Sequence, residues 1–120
     1  MTWNTFKSNI NWYVDAIKFG IKFKSFTQNH RAWSDAVFGT PDQRNCIGPL
    51  KHMKLEIDEV IAKPFDKFEW ADCVLLLTDA QRRAGFNWDI ILDYAVMKLE
   101  INKNRKWNVP INGEPCVHAE

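Results

Sequence analysis

Nothing in the chain approaches the roughly 18 consecutive apolar residues that a membrane span requires. The longest apolar run, Cys73 to Leu77, reads as a core segment. Charge of either sign is barely in excess. Sixteen Lys+Arg against 15 Asp+Glu leave +1, so no electrostatic footprint argues for nucleic acid or an anionic membrane. Cysteine is scarce. Cys46, Cys73 and Cys116 are odd in number, widely spaced and in no C-x-x-C pattern. That excludes a disulfide framework and a cysteine zinc site, and suits a reducing cytosol. The N-terminus lacks the compact apolar block of a signal peptide, because charges interrupt it throughout. Repeats and low-complexity segments are also missing.

What is present fits one globular domain of 120 residues with an ordinary hydrophobic fraction of 46%. The six tryptophans are many for this length. Most are expected in the core, with one or two free to stack on a flat ligand.

Phe6, Ile10, Val14 and Ile17 recur at helical spacing, which predicts a helix to about residue 18. The segment Ile17 to Lys24 alternates with period two and reads as a short strand or extended piece. Phe26, His30, Trp33 and Val37 resume a helical stripe, ended by the turn residues Gly39 to Asp42. A next helix starts near Gly48-Pro49, with proline in the first turn. Leu50, Met53, Ile57, Val60 and Ile61 form its apolar stripe, and Lys63-Pro64 stops it. Asp66 caps a third helix that runs to Ala84, with Gly85 as the terminating glycine. Asn87 caps a fourth, through about Asn104. Residues 108–120 read as an extended tail. The expected class is all-α: antiparallel helices joined by short turns, with a short N-terminal strand.

Four acidic residues in two matched pairs carry the chemistry. Glu56 and Glu59 on the second helix, and Glu69 and Asp72 on the third, are each spaced i, i+3 and so share a face. Packed carboxylates repel and need compensation. Mg²⁺, a hard cation that prefers oxygen ligands, supplies it. The plainer alternative is a solvated charged face. It is weakened by Cys73 to Leu77, because an acid flanking so apolar a helix is costly unless paired or metal-bound. The short link between the helices makes them antiparallel and sets the two pairs face to face.

His52, four residues before Glu56, can touch a phosphate or orient a carboxylate. Asp79, seven residues after Asp72, can orient a basic group or simply face Arg82 and Arg83. Lys98, Asn102 and Arg105 form a stripe on the fourth helix. It suits an oligophosphate and its sugar, or is ordinary basic surface near a helix C-terminus. Trp33, Phe26 and Trp12, with the amides of Gln28 and Asn29, are candidates for a base pocket.

Taken together, these blocks resemble the all-α NTP pyrophosphohydrolases, the MazG-like superfamily. Trp33-Ser34, Phe38-Gly39, Arg44 and Gly48 to His52 precede the first acidic pair. Asp79 to Gly85 and Lys98 to Trp107 follow the second. In this order they are similar to the phage-type dATP/dGTP diphosphohydrolase (MazZ-like) branch, over about residues 26 to 118. The first 24 residues form an extension outside the likeness. A double glutamate often opens the first motif of the superfamily; here Leu55 takes the first place and Glu56 the second.

The resemblance implies hydrolysis of a nucleoside triphosphate, dGTP or dATP, to the monophosphate and pyrophosphate. Glu56, Glu59, Glu69 and Asp72 would hold two or more Mg²⁺ ions, with Mn²⁺ able to substitute, and one glutamate would take the proton of the attacking water. Lys98 and Arg105 would neutralise the phosphates, and Asn102 would contact sugar or phosphate, with His52, Trp33 and Asp79 also lining the substrate site. Relatives assemble as dimers or tetramers, so a homo-oligomer is expected, working in the cytoplasm of a host if phage-encoded. Alternatives are the same chemistry on a pyrimidine or modified nucleotide, and a non-catalytic helical interaction protein. A di-iron carboxylate bundle would need Glu-x-x-His motifs, and neither Glu56 nor Glu59 starts one.

Overall fold

The computed structural model describes residues 1–119. The chain forms two compact units, Met1–Gly85 and a second that begins at Phe86.

The first unit is three helices. Helix α1 spans Trp3–Phe38. It opens on Thr2, whose hydroxyl accepts a hydrogen bond from the Thr5 N–H at 3.1 Å. It closes at Gly39, whose φ of +98° only glycine adopts without strain. One unbroken helix therefore replaces the expected helix, short strand and second helix. The alternation at 17–24 misled because a strand must find partners for its backbone groups, whereas a helix satisfies them internally. On a helix, period-two spacing scatters side chains around the cylinder. Ile17, Phe19 and Ile21 all stand exposed, while Phe19 stacks on Phe23 one turn away.

Helix α2 spans Ile47–Ala62 and α3 spans Lys67–Arg83. The start near Pro49 and the stop before Pro64 follow the expected proline chemistry. Asp66 caps α3, its carboxylate accepting from the Phe68 N–H at 2.9 Å. Gly85, with φ +90°, ends the turn after it. α2 and α3 pack against each other along their lengths, and α1 also touches α3. The second half of α2 meets the first half of α3 at the acidic residues. The loop before α2 meets the end of α3, where Arg83 bonds the Arg44 carbonyl. The pair is therefore antiparallel.

The second unit holds α4, Trp88–Lys103, capped by Asn87, whose side chain accepts from the Ile90 N–H at 2.9 Å. Beyond it the expected extended tail is instead a small hairpin. β1, Trp107–Asn108, pairs antiparallel with β2, Val117–His118. The strands of this fold are therefore C-terminal, and none is N-terminal among the described residues.

Burial departs from expectation. Trp3, Trp12, Trp33, Trp70 and Trp107 are all exposed in the single chain, and the run Cys73 to Leu77 is at best half-buried. No helix among the described residues is long and apolar enough to cross a membrane.

Candidate active site

Three carboxylates converge between α2 and α3. Glu56 of α2 and Glu69 and Asp72 of α3 each bring an oxygen within 4.8 Å of the other two. Their placement follows from local rules. Glu69 sits in the first turn of α3, where the helix dipole favours an anion. Asp72 lies one turn further on the same face. His52, one turn before Glu56, approaches it with Nε2 at 3.0 Å from Oε1 and fixes its orientation. Glu59, one turn beyond Glu56, stays outside this group of three.

The group is short of positive charge. Partial burial raises the Glu69 pKa above its ordinary value, and the charges of Asp66, Glu59 and Asp72 add to the effect against the opposing pull of Lys63. Cys73, next to Asp72, has its thiol pushed up by burial and then by Glu56, Asp72 and Glu69. The neutral thiol is a poor metal ligand, so the donor set is all oxygen.

A cavity of about 280 Å³ runs from these acids to an aromatic end. Glu56, Asp72 and His52 line one part, and Trp33, Phe38 and Arg44 line another. Trp33 and Phe38 meet edge to face at 5.4 Å, and the Arg44 guanidinium lies over the Phe38 ring at 5.8 Å. Of the aromatic candidates read from the sequence, Trp33 reaches the cavity. Trp12 packs edge-on against Tyr13, and Phe26 stacks on His30. Neither of these, nor Gln28 nor Asn29, lines it.

Asp79 also lines the cavity, but its oxygens are committed. Oδ1 accepts from the Ser34 hydroxyl at 2.8 Å and from Arg82 Nε at 3.0 Å, and Oδ2 accepts from Arg83 Nε at 2.9 Å. Burial alone would raise its pKa. The hydrogen bonds from Arg83 and Ser34, with the charges of Arg83 and Arg82, outweigh that and hold it below the usual carboxylate value. Arg83 has a fully buried side chain. It donates further to the Arg44 carbonyl, the Ser34 hydroxyl and the Gly39 carbonyl at 2.9, 3.0 and 2.9 Å. This network ties the end of α1, the loop after it and the end of α3 to one another.

Sequence reading missed Ser34 and His30 here, and named Arg83 only as a group that Asp79 could face. The i, i+4 spacing of Asp79 and Arg83 carried that much, but the reach of Arg83 to Ser34 and to the Gly39 and Arg44 carbonyls has no local signal. His30 lies buried between Phe26 and Trp33, with Nδ1 lacking a hydrogen-bond partner among the described residues. Burial lowers its pKa, assisted by Arg82 and Arg83 and opposed by Asp79. A histidine with a lowered folded pKa must stay neutral in the fold while the unfolded chain protonates near 6.5. Stability is therefore expected to fall as pH drops through about 6.5. His30→Phe should flatten the melting temperature between about pH 5 and 7.5; an unchanged slope would assign it to other groups.

In the second unit, Lys98 and Asn102 lie on α4, and Arg105 lies just beyond its end. Arg105 NH1 donates to Asn102 Oδ1 at 3.3 Å, and the Trp107 indole N–H donates to the Asn102 carbonyl at 2.9 Å. Lys98 borders an open apolar hollow with Tyr94, Met97 and Ile101.

A family model for dATP/dGTP pyrophosphohydrolases matches residues 26–120. The chain belongs to that family. It is also 46% identical over 96 residues to the Eaa protein of Salmonella phage P22, a match covering 78% of this chain. The chain spans only 28% of that relative's length. Among solved structures it is similar to a cyanophage S-2L MazG-like pyrophosphohydrolase bound to dGDP and three catalytic Mn²⁺ ions per active site. That likeness has a TM-score of 0.63 and 26% identity, covering 81% of this chain and 96% of the other. Fold and family are thus those of a MazG-like nucleotide pyrophosphohydrolase, and the matched stretch includes the three converging carboxylates. The first 25 residues, which belong to α1 from Trp3 onward, lie outside the family match.

Proposed function

We propose that this chain is a Mg²⁺-dependent diphosphohydrolase of purine deoxynucleoside triphosphates, converting dGTP or dATP to the monophosphate and pyrophosphate. The observation that carries the reading is the convergence of Glu56, Glu69 and Asp72 at the mouth of a cavity whose other end is aromatic. Three carboxylates this close, with Glu69 held above its ordinary pKa by burial and then by its acidic neighbours, fit a divalent cation. Their all-oxygen character fits Mg²⁺ or Mn²⁺. The Mn²⁺-bound cyanophage relative supports the same donor chemistry.

Glu56, Glu69 and Asp72 would hold the metal, with Glu59 at hand for a further ion. A divalent cation there polarises phosphate oxygens and lowers the pKa of water. The protein's own part is positioning. His52 orients Glu56, and a glutamate of the acidic set accepts the proton of the attacking water. The resemblance assigns Lys98, Asn102 and Arg105, in the second unit, to the oligophosphate and sugar. All of residues 1–120 would serve one such domain. The aromatic residues left bare on the first half of α1 suit burial against a second copy of the chain, in a dimer or tetramer.

Incubation of dGTP, dATP, dCTP and dTTP with Mg²⁺, followed by chromatography of the products, tests the reading. The monophosphate and pyrophosphate are expected. Orthophosphate with a nucleoside diphosphate would show a different bond cut and sink it. Purine kcat/KM should exceed pyrimidine kcat/KM by at least about tenfold; dCTP as best substrate would remove the purine assignment and leave the metal chemistry.

A further inference from the structure

We infer that Arg44 reads the base of the bound nucleotide and selects guanine over adenine; this rests on the diphosphohydrolase reading above. Gly48, His52 and Glu56 line the cavity at i, i+4 and i+8 on one face of α2. The rise of a helix puts Gly48 about 12 Å from Glu56 along the axis. The Arg44 guanidinium is fixed at the Gly48 end. A Cβ on Gly48 would lie 3.0 Å from Arg44 NH2, so the bare glycine makes the room that the guanidinium occupies. With the phosphates at the acidic end, the Gly48 end lies as far off as the outer edge of a base does from its α-phosphate. A phosphate contact for Arg44 would need the chain of phosphates to run towards the aromatic rings.

The surroundings suit a base. Trp33 and Phe38 offer flat apolar faces beside Arg44. No carboxylate pairs with Arg44 among the described residues, so its N–H fork is free to donate. The loop bearing it is fixed, because its carbonyl accepts from the buried Arg83. A planar guanidinium presents two parallel donors, matching the O6 and N7 acceptors of guanine. Adenine offers N7 but places a donor amine where O6 would be, so one N–H would face another. The amides of Gln28 and Asn29, first read as candidates for this task, are not at the cavity.

The test compares wild type with Arg44→Gln and Gly48→Ala. For Arg44→Gln, the ratio of kcat/KM for dGTP over dATP should fall at least about tenfold, since a glutamine amide matches the N6 and N7 edge of adenine. Gly48→Ala, which displaces the guanidinium without removing its charge, should lower the ratio in the same direction. Calorimetry on metal-free protein provides an arm that needs no turnover. Wild type should bind dGMP more tightly than dAMP or 7-deaza-dGMP, and Arg44→Gln should lose the difference. Equal loss of dGTP and dATP turnover would make Arg44 a phosphate contact and overturn the inference. So would a wild type that binds dGMP no better than dAMP. A wild type that prefers dGMP yet releases no pyrophosphate would instead sink the reaction assignment and leave Arg44 as the base reader.

Discussion

Asp72→Asn or Glu56→Gln is expected to lower kcat by at least about 10²-fold, the usual scale for weakening a metal site through its ligands. Asp72→Asn should also raise the melting temperature of the metal-free protein. The two effects share one cause. Glu56, Glu69 and Asp72 crowd within 4.8 Å, and Glu69 is held above its ordinary pKa in part by Asp72. A carboxyl whose folded pKa is raised costs the fold stability at pH above that value. Neutralising a neighbour relieves the cost and removes a ligand together. Added Mn²⁺ or Mg²⁺ should stabilise wild type by mass action and stabilise the variants much less. Thermal melts with and without metal, alongside pyrophosphate release, read both consequences. A variant with normal turnover and an undiminished metal-induced shift would mark these acids as solvated surface. Glu59→Gln should cost less metal-induced stabilisation than Asp72→Asn, because Glu59 stands outside the group of three.

The legible parts of the chain were those set by local chemistry. Pro49, Pro64, Asp66, Gly85 and Asn87 each act through their own backbone or a neighbouring N–H, so the bounds of α2, α3 and α4 could be placed from them. Glu69 and Asp72 were legible for the same reason, since helical spacing alone puts them on one face; that α2 adds Glu56 and not Glu59 to them depends on packing. Family resemblance, not periodicity, supplied the reaction; spacing left Lys98, Asn102 and Arg105 open between a phosphate stripe and ordinary basic surface. Pattern failed where the outcome depended on what a segment packs against. Ile17 to Lys24 alternates like a strand, yet it has no strand to pair with and lies inside α1. The tryptophans were expected inside, yet the single chain offers too little to cover them. The Ser34–Asp79–Arg83 network spans 45 and 49 residues of sequence in its hydroxyl bonds. No window of local pattern could show it.

That network sets the largest expected loss of stability. Arg83→Ala should destabilise the protein by about 3 kcal/mol, the low end for breaking a buried pair, because Arg82 still pairs with Asp79. On a chain of this size that corresponds to a drop of about 10 °C or more in melting temperature. The Arg83 side chain is fully buried and Asp79 nearly so, 2.9 Å apart. Removing the guanidinium strips Asp79 of a charge-assisted bond and leaves the carbonyls of Gly39 and Arg44 without their side-chain donor. Lysine is not a substitute, because one compact ammonium cannot reproduce a planar fork that serves four acceptors. Asp79→Asn should cost less, since Arg83 keeps three oxygen partners. The pair also predicts acid sensitivity. Asp79 is held below its ordinary pKa, so its contribution is complete above about pH 4 and is lost as pH falls through the depressed folded value. Arg83→Ala should weaken that part of the acid slope, while Ser34 and Arg82 still favour the carboxylate. A variant that melts within a degree or two of wild type, with its acid slope intact, would show that the ends of α1 and α3 are held by apolar packing instead.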